Sequence, residues 1–268
     1  RQGPGKLTFK SYYGVQKVPE RRRYDLLNTD QYINFTLDDF IVEPARFDDY
    51  DFATQDFRVG SPSEEFRGVE TDWQDAVMPV GAIREYQLGL SGGSENVTYN
   101  LGGGYFEQDG TIVNTHFKRI NFNANIQANL GKFKMGSSII LSRNSQNEPE
   151  GQGISVRRAL QMMPYIPVRD ASRPGGFRAS DNADGADPFQ PVLLEVLRDD
   201  EQTSTKVLLT AYGQYEILPG LNARLNLAGE SAFIQQQNFR PTYNAGEIGF
   251  NQNPNPEFLR RKITFVSP

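Results

Sequence analysis

The chain has no cysteine and a single histidine, His116. A disulfide or thiolate metal centre cannot form, and a histidine-built metal site or catalytic triad lacks a second imidazole. No cofactor, no metal and no catalytic residue is therefore expected. Long apolar runs are missing too: nothing reaches the roughly 18 consecutive apolar residues that mark a membrane-crossing helix. Neither sign of charge dominates strongly. With 28 Lys and Arg against 33 Asp and Glu, for a net charge of −5, there is no electrostatic basis for a nucleic-acid partner.

What is present points elsewhere. Hydrophobic residues make up 37% of the 268 and the mean hydropathy is −0.57, yet 18 Phe and 12 Tyr raise the aromatic share to 12%. That mixture suits strands with one apolar and one wet face, because only alternate residues need to avoid water. The chain opens at Arg1 without an initiator Met and stops at Pro268 without a recognisable terminal element, so it is read as a fragment with residues missing at both ends.

Alternation of period two is complete from Arg119 to Leu130. Ile120, Phe122, Ala124, Ile126, Ala128 and Leu130 fall on one side, and Arg119, Asn121, Asn123, Asn125, Gln127 and Asn129 on the other. The same pattern, with single exceptions at Ser11 and Ile140, predicts seven strands over about residues 6–18, 83–92, 96–107, 117–130, 132–146, 204–218 and 221–238. Short links at Gly92–Asn96, Gly131–Lys132 and Pro219–Gly220 alternate with long ones at Pro19–Ala82, Glu107–His116 and Glu148–Thr203. Outer-membrane barrels have this asymmetry, with short periplasmic turns and long extracellular loops.

The expected fold is all-β: residues 1–268 form part of one antiparallel transmembrane β-barrel, with long extracellular loops at 19–82 and 148–203. Arg119, Asn121, Asn123, Asn125 and Gln127, with Asn222 and Arg224 on the last strand, are the expected lumen-facing set. Seven strands cannot close a bacterial barrel, which uses an even number, so further strands are expected beyond Pro268 or in a second chain. Within the loops, Asn28 or Thr29 is placed to cap a helical turn, and Ser155–Met163 reads as one or two turns ended by Pro164.

The run SGGSENVTYNLGGGYFEQDGTIVNTHFKRINFNANIQANLGKFKMGSSI, from Ser91, resembles the early barrel hairpins of SusC/RagA-family TonB-dependent transporters. YYGVQKVP at Tyr12–Pro19, TDWQDAV at Thr71–Val77 and YGQYEILPGLNARLNL at Tyr212–Leu227 are similar to the same family in order and spacing. The resemblance covers about Lys6 to Phe239. It implies a large importer of Bacteroidota in the outer membrane, with a plug before a barrel of about 22 strands. Further implied are a SusD-like surface lipoprotein as lid, energy from TonB through a plug segment absent from this chain, and a bulky nutrient, oligosaccharide or peptide, as cargo.

Four residues are candidates for contact with substrate or lid. Trp73, between Asp72 and Gln74, offers a flat apolar ring beside polar neighbours; the plainer reading makes it a loop anchor or part of the aromatic girdle. Tyr50, in the acidic aromatic stretch Asp48–Phe52, can face the lid or sit at a charged loop tip. Arg21 and Arg22, with Arg23, can meet lipid headgroups of the outer membrane or an acidic partner, or remain solvated. Asp181, Asn182, Asp184 and Asp187 lack the spacing and closing Glu of a calcium loop. The Gly102–Gly104 triplet lies inside a strand, so it marks close backbone approach, to a plug for example, and not a phosphate cradle.

Three other functions fit parts of this pattern: a passive porin-type barrel, a soluble glycan-binding β-sandwich, and a polysaccharide hydrolase. Strands of about 12 residues and one-sided long loops disfavour the sandwich. No carboxylate pair can be nominated for the hydrolase.

Overall fold

The computed structural model describes residues 3–32, 34–35, 50–51, 56–57, 68–147, 154–172, 176–178, 190–192, 196, 199–240, 243–244, 250–251 and 255–267. Eight antiparallel strands form one sheet in the order β1 (Gly3–Gln16), β4 (Gly81–Gly93), β5 (Val97–Asp109), β6 (His116–Leu130), β7 (Phe133–Asn147), β8 (Asp199–Leu218), β9 (Leu221–Arg240) and β12 (Asn255–Ser267). Every neighbour along this order is also the next strand of the sheet in sequence, the up-and-down path of a barrel wall. Two small ribbons, β2 (Tyr50–Asp51) with β3 (Asp56–Phe57) and β10 (Tyr243–Asn244) with β11 (Phe250–Asn251), lie in the connections, as do the short helices α1 (Trp73–Val77) and α2 (Ile154–Ala159).

The register sorts side chains by face. Phe9, Leu88, Gly103, Phe122, Leu141 and Val207 form one continuous row across six strands, and Leu7, Leu90, Leu101, Ala124, Ile139 and Leu209 form the next. This face is bare: Leu7 is 67% exposed and Phe9 65%, and among the described residues of the sheet only Ala124 and Ala128 count as buried hydrophobics. So large an uncovered apolar surface is incompatible with a water-soluble sandwich, whose sheets bury such faces against each other.

Turn chemistry fixes the hairpins. Leu130 pairs with Phe133 across Gly131–Lys132, where Gly131 has φ 62°, a left-handed conformation that glycine adopts without penalty. Leu218 pairs with Leu221 across Pro219–Gly220, and Gly220 at φ 86° after a proline suits a type II turn. Such a turn twists against the strands, and the ladder absorbs this in a register shift between Glu216 and Leu218.

Alternation predicts one strand too few. β12 escapes it because Arg260, Arg261 and Lys262 stand in succession and put charge on both faces. β8 likewise begins at Asp199 and not at residue 204, because backbone pairing with β7 and β9 continues through a polar stretch that has no apolar period. At 20 residues, β8 and β9 are about twice the 9–11 that cross a bilayer, and their outer halves are polar. Among the described residues no helix is long and apolar enough to cross a membrane.

Candidate functional site

The second face of the sheet is polar and carries a depression of about 560 Å³ where β1, β4, β5, β6 and β7 run side by side. Its floor is glycine. One row reads Thr8, Gly89, Gly102, Asn123 and Ile140; the next reads Lys10, Gln87, Gly104, Asn121 and Ser142. A Cβ on Gly104 would lie 2.8 Å from Asn121 Oδ1, one on Gly102 would collide with the Asn123 amide, and one on Gly89 would lie 2.7 Å from Thr8 Oγ1. The Thr8 hydroxyl instead donates to the Gly89 carbonyl at 3.2 Å. Gly102 and Gly104 thus make room for the Asn123 and Asn121 side chains lying across the sheet.

Charge rims the depression. Glu85 accepts from Gln87 Nε2 at 2.6 Å, and the Arg119 guanidinium lies 5.5 Å from the centre of the Phe106 ring. Phe106 is held edge-on to Phe117 at 6.0 Å. Arg119, Asn121, Asn123, Asn125, Gln127, Asn222 and Arg224 all fall on this polar face. The first three line the depression, Asn125 and Gln127 continue toward the short-turn end, and Asn222 and Arg224 lie three strands away on β9. Arg224 stacks over Tyr212 at 4.4 Å and donates from Nε to Asn226 Oδ1 at 2.9 Å. Ile140, the exception to alternation in β7, sits opposite Leu208, and the pair forms an apolar spot on this largely polar surface. Such a surface can hydrogen-bond hydroxyls and amides along a broad path. Among the described residues no group of three or more His, Cys, Asp or Glu side chains is placed to hold a metal.

A second assembly sits beyond the long-loop ends of the strands and has a core of its own: Trp73, Val77, Ala159, Met162, Ile166, Phe177 and Val192. Asp72 caps α1 by accepting from Asp75 N at 3.0 Å. Trp73 is 2% exposed and its indole N–H donates to the Met163 carbonyl at 2.9 Å, while Thr71 N donates to the Pro164 carbonyl. Val113 N, in the β5–β6 connection, donates to the Val77 carbonyl and joins this core to the sheet. Trp73 is thus built into the loop core and joins two loops, the geometry of the anchor reading.

The other candidates separate. Arg21 and Arg22 are exposed on a 3-10 turn, Glu20–Arg22. Their neighbour Arg23 does the structural work, pairing with Asp75, with Asp72 at 3.8 Å and with Glu20 at 3.9 Å. The hydrogen bond to Asp75 raises the Arg23 guanidinium above its ordinary range. Gln74 locks the same segment by exchanging hydrogen bonds with the Tyr24 backbone at 2.7 and 2.9 Å. Tyr50 is described only as a backbone strand residue paired with Phe57; its side chain, like Asp48, Asp49 and Asp181–Asp187, lies outside the described residues. Asn28, not Thr29, caps the following helical turn: Asn28 Oδ1 accepts from Gln31 N at 2.8 Å and Gln31 Oε1 accepts from Asn28 N at 3.0 Å. Thr29 is buried and donates to the Val69 carbonyl at 2.7 Å.

No family model matches the chain. The chain is 28% identical over 228 residues to TonB-dependent receptor P3 of Formosa agariphila, covering 81% of this chain and 22% of that one. It is 22% identical over 273 residues to TonB-dependent receptor SusC of Bacteroides thetaiotaomicron, covering 93% and 25%. The chain is a relative of SusC/RagA-type TonB-dependent receptors. It spans about a quarter or less of the length of those relatives. The RagAB peptide importer in its open-open state has the same fold over 99% of this chain and 31% of its own, with a TM-score of 0.74 at 18% identity. The sheet is thus part of an outer-membrane β-barrel, and its bare apolar face suits contact with lipid.

Proposed function

We propose that this chain forms one side of the barrel of a TonB-dependent importer of bulky nutrients, oligosaccharide or peptide, that works with a SusD-like surface lipoprotein. The observation that carries the reading is a single sheet with an uncovered apolar face on one side and a glycine-floored, amide-lined depression on the other. In this reading Arg119, Asn121, Asn123, Asn125, Gln127, Asn222 and Arg224 line the lumen of a barrel of about 22 strands. Their amides and guanidinium groups serve hydroxyl-rich sugars and peptide backbones alike. No catalytic step is assigned to the chain.

The test uses the intact protein in its own cells. Growth on an oligosaccharide mixture or a peptide digest should require both the protein and TonB, and a tagged copy extracted in detergent should bring a surface lipoprotein with it. Growth that survives loss of TonB would assign passive flow instead, and recovery of the intact protein from buffer without detergent would remove the membrane reading altogether.

A further inference from the structure

The loop assembly has a cavity of its own, about 380 Å³, bordered by residues 24–28, 70–74 and 160–164. That volume is within the range of small-ligand sites. Leu160, Met162, Pro164 and the core residue Trp73 give it apolar walls, and Leu26 and Leu27 line it as well. These two leucines remain 41% and 44% exposed, and Tyr24 beside them is 66% exposed. Water drives such side chains inward unless the backbone forbids it.

Here the backbone is held at both ends. Tyr24 exchanges main-chain hydrogen bonds with the Gln74 amide at 2.7 and 2.9 Å. Asn28 N donates to Gln31 Oε1 at 3.0 Å, and the Asn28 carbonyl accepts from Tyr32 N at 2.8 Å. Between these clamps Asp25, Leu26 and Leu27 are exposed and form no helix, turn or ladder. Among the described residues their backbone N–H and C=O groups have no protein partner. Three consecutive peptide units therefore stand fixed and open beside an apolar cavity.

That combination selects a ligand class. Of the three rings lining the cavity, Trp73 is buried and Tyr32 stands edge-on to Tyr165 at 6.0 Å, which leaves only Tyr24 to stack on a sugar. A polypeptide supplies what the site lacks: donors and acceptors for the open backbone, and a side chain for the cavity. Charge narrows the class further. Asp25, Glu70 and Asp72 line the cavity with no Lys or Arg among them. Arg23 offsets Asp72 while pairing with Asp75 and Glu20, whereas among the described residues Asp25 and Glu70 pair with no cation.

We propose that the Asp25–Leu27 backbone and this cavity bind a cargo peptide, which hydrogen-bonds to the open peptide units and lodges an apolar side chain among Leu27, Leu160 and Met162. A basic neighbour is favoured by Asp25 and Glu70. The site rests on the import reading and narrows its cargo to peptide; binding is measured without transport, so either can fail alone.

The experiment is fluorescence polarisation with the intact detergent-solubilised protein and its co-purifying partners. The probe is a labelled alanine heptapeptide with a central leucine between two lysines. Aspartate in place of that leucine should weaken binding roughly tenfold or more, the worth of one buried leucine side chain. N-methylation of the three central residues, which removes their backbone donors, should weaken it several-fold, and excess maltoheptaose should not compete. Leu27→Asp in the protein should reproduce the tenfold loss, and Arg21→Gln, outside the cavity lining, should change nothing. No binding of the parent peptide, equal binding of the aspartate or N-methylated form, competition by maltoheptaose, or an unaltered Leu27→Asp protein would each overturn the assignment. If Leu27→Asp does not fold, the peptide comparisons decide the matter, because they change only the ligand. TonB-dependent growth on oligosaccharide without peptide binding would leave import standing and remove this site.

Discussion

The sheet and the loop assembly solve the same problem in opposite ways. Eight strands of 13–20 residues enclose almost no buried side chain of their own, whereas loop segments of a few residues each surround Trp73, Val77, Ile166 and Phe177 completely. The sheet is held by cross-strand backbone hydrogen bonds and uses lipid as its apolar environment; the loops meet water on the outside and must build an interior. Substitutions should therefore follow different rules in the two regions, although Val113 connects them directly to one another.

The largest effect is expected in the loops. Trp73→Ala removes the centre of their core and should destabilise that assembly by about 3–5 kcal/mol. Limited proteolysis of the intact protein in detergent should then cut the loops early while the thermal transition of the barrel stays where it was; a matching fall in barrel stability would mean that the two regions are one cooperative unit. Next is a test of the faces. Ile126→Arg, in the middle of the apolar stretch of β6, should cost roughly 2–4 kcal/mol in lipid, the range for Arg at the bilayer midplane. Asn125→Arg, one residue away on the polar face, should cost far less in the same denaturant titration, and equal costs would contradict the assignment of lipid and lumen sides.

Smaller still, Asn28→Ala breaks the reciprocal cap with Gln31 and should loosen its turn by about 1 kcal/mol, seen as faster hydrogen exchange at Gln31 and Tyr32 alone. Gly104→Ala should be the mildest. The added methyl meets the end of a flexible amide, so Asn121 swings aside and the shape of the depression changes with little loss of stability. Thermal melts of the two proteins should nearly superimpose.

These contrasts also explain what the sequence disclosed. Where lipid demands apolarity on one side only, as from Arg119 to Leu130, strand and face are both written in the residue order. Where the wall rises out of the membrane that demand ends, so Asp199–Thr203 and the Arg260–Lys262 run pair as strand without any alternating trace. The loop core left a weaker signal: the Asp72–Asp75 spacing marks a helix start, and an aromatic directly after such a cap is well placed to be packed, but the partners Met163 and Phe177 lie far along the chain.

The exchange of hydrogen bonds between Gln74 and Tyr24, with the Arg23 ion pairs beside it, secures the stretch leaving β1 to the helix that leads into β4. A long excursion between adjacent strands is thereby pinned at both its exit and its return. In entropic terms that makes it a short loop carrying a long insertion: closing the β1–β4 pair in folding requires ordering the pinned ends, and the sequence between them is free to lengthen or diverge with only a logarithmic penalty.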